Sequence, residues 1–112
     1  VKIINLKLIN KNKKYLIFSG IGNSDSFKNT LLENKINVIE EVIFPDHHDY
    51  KKQDIVKIKK RAKKIGAKIL TTEKDFVKIS KIDRKGINLI KINLNIKNKK
   101  NFINFLKLKI YE

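Results

Sequence analysis

The feature that most constrains the fold is a repeated order along the chain: a short apolar run of strand type, a polar cluster, then a helical pattern. Tyr15-Leu16-Ile17-Phe18 is a continuous apolar run ending in Ser19-Gly20, as a strand buried on both faces of a parallel sheet requires. After Gly20-Ile21-Gly22, the N-cap types Asn23, Ser24 and Asp25 precede Phe27 and Leu31 at helical spacing, which predicts a helix over 24–34. Ile36 to Phe44 is β-branched and partly alternating, and Pro45 ends it because proline offers no donor to a sheet. Ile55, Ile58, Ala62 and Ile65 then recur on one helical face, lysines cover the other, and Gly66 stops the helix. Ala67 to Thr71 reads as a third strand, and Thr72 with Asp75 as a capping pair opening a short helix through Ser80. Asp83-Arg84-Lys85-Gly86 is a turn, Ile87 to Leu94 a fourth strand, and Asn98 caps a last helix carrying Phe102, Phe105 and Leu106. Val1 to Asn10 alternates imperfectly and predicts a strand with a bulge, making 1–13 a linker strand.

Alternating strands and helices predict an α/β fold, a three-layer α/β/α sandwich whose mostly parallel sheet is covered on both faces. With 112 residues, 41% of them hydrophobic, the chain can bury one core and is expected to form a single domain over 1–112. It has no apolar run near the roughly 18 residues of a membrane span and no signal-peptide layout at its start. Cysteine is absent, which excludes disulfides, thiolate nucleophiles and cysteine-ligated zinc. The two histidines are neighbours, His47 and His48, and point apart in regular backbone, so no metal site is expected.

The net charge of +16 would suit a nucleic-acid or anionic-membrane binder. Only Arg61 and Arg84 are arginines, however, and Lys, Ile and Asn dominate everywhere, as an A+T-rich genome dictates. A reader of bases or phosphates more often uses the bidentate fork of arginine. Nucleic acid is therefore disfavoured as a partner, an anionic membrane surface stays open, and a basic binding module is the alternative function.

Three polar clusters follow three of the strands: Gly20-Ile21-Gly22-Asn23, Asp46-His47-His48-Asp49 after Pro45, and Thr72-Glu73-Lys74-Asp75. In a parallel sheet the carboxyl ends share one edge, so these clusters are expected to form one rim. Each also has a structural reading. The glycines can be a tight turn, lacking the third glycine of a dinucleotide fingerprint and the Gly-Lys-Ser/Thr ending of a P-loop. The Asp-His pair can be turn chemistry or an imidazole tuned for proton transfer. The Thr-Glu-Lys-Asp string can be a helix start with carboxylates at the positive end of the dipole.

Taken in order, Phe18-Ser19-Gly20-Ile21-Gly22-Asn23, then Phe27, then Phe44-Pro45-Asp46-His47-His48 with Tyr50, then Thr71-Thr72-Glu73-Lys74-Asp75 resemble the second half of the lipid A 4'-kinases (tetraacyldisaccharide 4'-kinases) over about 14–79. Ser24 departs from the proline usual after Gly-Ile-Gly-Asn, and no phosphate-binding loop is present. The resemblance implies a Rossmann-like second lobe, inactive alone, whose partner is an amino-terminal P-loop lobe. It implies ATP and Mg2+ as cofactors of the complete two-lobed enzyme and a lipid A disaccharide precursor as acceptor. The setting it implies is the cytoplasmic face of the inner membrane of a Gram-negative bacterium. It assigns catalysis to His47, and lining of the cleft to Gly20, Gly22, Asn23, Asp46, His48, Thr72, Glu73, Lys74 and Asp75.

Overall fold

A computed structural model describes residues 2–3, 9–22 and 24–93. The strand expected over Val1 to Asn10 falls partly outside them, and the helix expected from Asn98 wholly so. The elements are β1 (Lys2–Ile3), β2 (Lys14–Gly20), α1 (Ser24–Glu33), β3 (Asn37–Phe44), α2 (Lys52–Ile65), β4 (Lys68–Thr72), α3 (Glu73–Phe76), a 3-10 turn (Lys81–Arg84), β5 (Ile87–Ile90) and β6 (Ile92–Asn93). Four of the strands form a parallel sheet in the order β3-β2-β4-β5.

The apolar run of β2 makes it a central strand, with Tyr15 to Ser19 all buried. Its side chains alternate between two cores. Tyr15 and Ile17 join Phe27 and Leu31 of α1, while Leu16 and Phe18 join Ile55, Ile58 and Ala62 of α2. The helices thus cover opposite faces, and the α/β sandwich expected from the alternation is what forms.

Two expected elements differ. The helix opened by Thr72 stops at Phe76 instead of Ser80, and the chain goes on through turns to a 3-10 segment over Lys81–Arg84. Arg84 secures that segment by donating to the carbonyls of Ile79 and Val77 and by lying over the Phe76 ring. The strand expected over Ile87 to Leu94 is two strands within the described residues: β5 continues the sheet, whereas β6 leaves it to pair antiparallel with β1.

β3 is an edge strand, and its pairing with β2 shifts between Tyr15 and Leu16, so Val38 faces Tyr15 but Glu40 faces Leu16. This bulge sends Glu40 to the α2 face, where it pairs with Arg61 at 2.7 Å, and Glu41 to the α1 face, within 3.8 Å of Lys28. Charges on an edge discourage pairing with other chains. The Arg61 hydrogen bonds hold the Glu40 carboxyl below its ordinary value, and Arg61 is raised in return.

Gly66 closes α2 in left-handed backbone, φ +68, with nothing within 4 Å of where a Cβ would stand. Gly66→Ala therefore adds backbone strain without a clash, and thermal unfolding should show a loss of about 1 kcal/mol.

Candidate functional site

β2 and β4 are sheet neighbours, yet the segments that leave their carboxyl ends pass to opposite faces: α1 packs in one core, and the 73–79 segment places Phe76 and Ile79 in the other. A crevice opens where neighbouring connections diverge, and in open α/β sheets ligands bind there. The three polar clusters meet at this edge. Asp46 Oδ1 lies 3.6 Å from where a Cβ on Gly22 would be, which brings the first loop against the second.

The rim is tied together from below by Asp75, which is only 2% exposed. Its Oδ1 accepts the Gly20 N–H at 3.3 Å from the first loop and the Tyr50 hydroxyl at 3.1 Å from the second. Its Oδ2 accepts the Thr72 hydroxyl, and the Asp75 N–H donates back to Thr72 Oγ1 at 3.0 Å. One carboxylate therefore joins all three loops. Burial first, then the charge and the hydrogen bond of Asp75, push the Tyr50 hydroxyl well above the ordinary tyrosine value, so it stays a donor. Asp75 is a support beneath the crevice, not part of its exposed lining.

The two histidines have different surroundings. His48 is half-buried, stacked on Phe44 at 4.7 Å and edge-on to Tyr50 at 5.2 Å, and its Nε2 is 2.9 Å from Asp54 Oδ2. The same Asp54 oxygen accepts the Lys51 N–H at 2.9 Å, which fixes the start of α2. The backbone bond from Lys51, then the bond from His48, hold the Asp54 carboxyl below its ordinary value. A lowered carboxylate stabilises the fold fully above the unfolded-state value and loses that contribution as pH falls through the folded one. Asp54→Asn should therefore lower the melting temperature at pH 7, and the gap from the native chain should narrow in melts near pH 3.

His47 occupies the tip of the turn. His48 N–H donates to Pro45 O at 3.2 Å, closing a β-turn whose third residue, His47, has φ 58. Type II turns put positive φ at that position and usually fill it with glycine or asparagine. The His47 side chain is 90% exposed, with Nε2 3.7 Å from Asp46 Oδ2. The turn is anchored at both sides, by Pro45 and by the aromatic cluster of Phe44, His48 and Tyr50, so it presents the imidazole outward from a firm base.

The remaining candidates are spread over the same edge. Gly20 ends β2 and Gly22 lies in the loop after it, Asp46 is exposed, Thr72 is buried, and Glu73 and Lys74 are exposed on α3. Asn23 lies outside the described residues. No group of three or more His, Cys, Asp or Glu side chains able to hold a metal ion occurs among the described residues. Sequence reasoning did not single out Tyr50 and Asp54 as site residues. Tyr50 sits in the same short segment as the histidines, and Asp54 stands at the third helical position, where a carboxylate reaches back to the helix start.

Residues 5–111 match the family Tetraacyldisaccharide-1-P 4'-kinase. The tetraacyldisaccharide 4'-kinase of Pelagibacter ubique is 38% identical over 103 residues, covering 92% of this chain and 33% of the relative. That of Rickettsia bellii is 45% identical over 71 residues, covering 63% of this chain and 22% of the relative. That of Rickettsia canadensis is 36% identical over 112 residues, covering 99% of this chain and 33% of the relative. The chain thus spans about a third or less of the length of these relatives. No solved structure matches it with significance. A family match over residues 5–111, with a relative 38% identical across 92% of the chain, settles the family: this chain belongs to the tetraacyldisaccharide 4'-kinases.

Proposed function

We propose that this chain is the carboxy-terminal lobe of a lipid A 4'-kinase. Its role is to close the cleft in which ATP phosphorylates the 4' hydroxyl of a tetraacyl glucosamine disaccharide 1-phosphate. The observation that carries this reading is His47, an exposed imidazole held in left-handed backbone at the tip of a braced loop after β3, at the carboxyl edge of the sheet. Strained backbone at a crevice is the kind of cost that a functional site maintains.

Phosphoryl transfer needs a phosphate cradle, magnesium and an oriented hydroxyl. The described residues of this chain do not fit the first two. The sequence holds no Gly-Lys-Ser/Thr loop, and no metal-binding group of side chains occurs among the described residues. The Asp75 oxygens are already taken by Gly20, Tyr50 and Thr72. In this reading ATP and Mg2+ are held by an amino-terminal P-loop lobe. The present chain contributes the imidazole of His47, which positions a carboxylate of that lobe and tunes its basicity toward the acceptor hydroxyl. The cleft would lie at the cytoplasmic face of the inner membrane. No helix among the described residues is long and apolar enough to cross a membrane.

The test is phosphoryl transfer from radiolabelled ATP to the disaccharide acceptor in the presence of magnesium. The chain alone should give no signal above background. Fusion to the remainder of the Pelagibacter ubique relative should give turnover. Turnover by the chain alone would show that it carries its own phosphate cradle and would overturn the two-lobe reading.

A further inference from the structure

At the amino-terminal edge of the sheet, away from the rim, the structure holds a cavity of about 470 Å³. Its lining includes small residues, Ala62 at the end of α2, Ala67 before β4 and Gly86 before β5, beside Ile69 and Asn88. Around it stand Lys59, Lys63, Lys68 and Lys85, and no carboxylate lines it. None of the four takes part in an ion pair among the described residues, whereas Glu40 and Glu41 of β3 are matched to Arg61 and Lys28.

Ordinary explanations account for only part of this. Lys63, in the last turn of α2, complements the negative end of the helix dipole. Lys59 stands one turn earlier, Lys68 opens β4 and Lys85 lies in the turn before β5, so three separate segments bring cations to one concavity. Lys59 and Lys63 at i and i+4 repel each other. Here the absence of bulk at Ala62, Ala67 and Gly86 makes the hollow that they share.

From this geometry we infer a binding site for a compact anion carrying two or more phosphates. Lysine binds phosphate as a point charge, and several ammonium groups around a hollow match a ligand with several negative charges better than they match one planar carboxylate, which suits arginine's fork. The site lies at the opposite end of the strands from the crevice and does not depend on the kinase reading.

The test is calorimetric titration of the full chain with inorganic tripolyphosphate at low salt and at about 0.15 M, where the screening length is about 8 Å. Saturable binding of one equivalent is expected. Lys63→Gln/Lys68→Gln should weaken it about tenfold or more, while Lys52→Gln/Lys78→Gln, an equal change of charge outside the cavity, should change it less than about threefold. The loss of Lys63 relieves its repulsion with Lys59 and gives up its interaction with the helix dipole, two small opposed effects, so the first pair should melt close to the native chain, and such a melt separates a fall in affinity from unfolding. A second arm uses phosphatidylcholine vesicles with and without cardiolipin, whose headgroup carries two phosphates. Vesicle binding lost in the first pair only assigns the phosphates to a lipid headgroup, and tripolyphosphate binding without vesicle binding assigns them to a soluble ligand. Equal losses in both pairs, absence of saturable binding, or tighter binding of duplex DNA that both pairs weaken alike would each overturn the site.

Discussion

In the fusion of this chain to the remainder of the Pelagibacter ubique relative, the proposed role of His47 predicts that His47→Ala lowers turnover by about 10²–10⁴-fold, the usual contribution of a positioned acid-base group. Its melting temperature should stay close to that of the native chain, because the side chain is 90% exposed and touches little. The backbone adds a second, opposed expectation. His47 has φ 58, and left-handed backbone costs a residue with a Cβ about 1 kcal/mol or more. His47→Gly should therefore lower turnover as alanine does while raising stability, by up to about 1 kcal/mol once the added freedom of the unfolded chain is subtracted. Gain of stability with loss of turnover is the signature of strain kept for function. His48→Ala should do the reverse. It removes the stack on Phe44 and the bond to Asp54, so it should cost about 1–2 kcal/mol in melts and much less turnover than His47→Ala. Steady-state rates and melts of the three variants separate these cases. Equal rates for His47→Ala and His48→Ala would mean that the exposed imidazole is not the catalytic one.

What was legible in the sequence depended on how local its cause was. The apolar run 15–18 could only be a strand buried on both faces, and the helical spacing from Ile55 to Ile65 marked α2, ended by Gly66. Convergence of the three polar clusters also followed from chain order, because parallel strands put their carboxyl ends together. The helix after Thr72 is shorter than its sequence implies: its cap is local and present, but the segment after it is held by Arg84 reaching back to Val77 and Ile79. The splitting of Ile87 to Leu94 depends on β1, at the far end of the chain. At the site, the left-handed turn at His47 carried no glycine or asparagine to announce it. The inward role of Asp75 was hidden because its partners, Gly20 and Tyr50, are 55 and 25 residues away in sequence.

Asp75→Ala is expected to be the most destabilising change at the rim. It strands the Gly20 N–H, the Tyr50 hydroxyl and the Thr72 hydroxyl in a place where the native side chain is 2% exposed. Each buried group left without a partner costs about 1–3 kcal/mol, and water entering the gap recovers part of that. A total near 3 kcal/mol should lower the melting temperature by about 10–20 °C. Asp75→Asn is the informative companion. Its carbonyl oxygen can still accept from Gly20 and Tyr50, but its amide donates where Oδ2 accepted, so the charge and the acceptor of the Thr72 hydroxyl are both lost, at about 1–2 kcal/mol. Tyr50→Phe removes one donor from Oδ1 and should cost about as much. The double variant Asp75→Ala/Tyr50→Phe should be less destabilised than the sum of its parts by about 1–2 kcal/mol, since the groups share one bond. The pH dependence gives an independent reading. Because the Tyr50 value is raised in the fold, stability is complete below the unfolded tyrosine value of about 10 and falls as pH rises above it. Tyr50→Phe should flatten that alkaline fall. Additive losses in the cycle, together with an alkaline slope that Tyr50→Phe leaves intact, would mean that Asp75 does not hold the second loop. The braced presentation of His47 would then have to come from the stack of Phe44 and His48 alone.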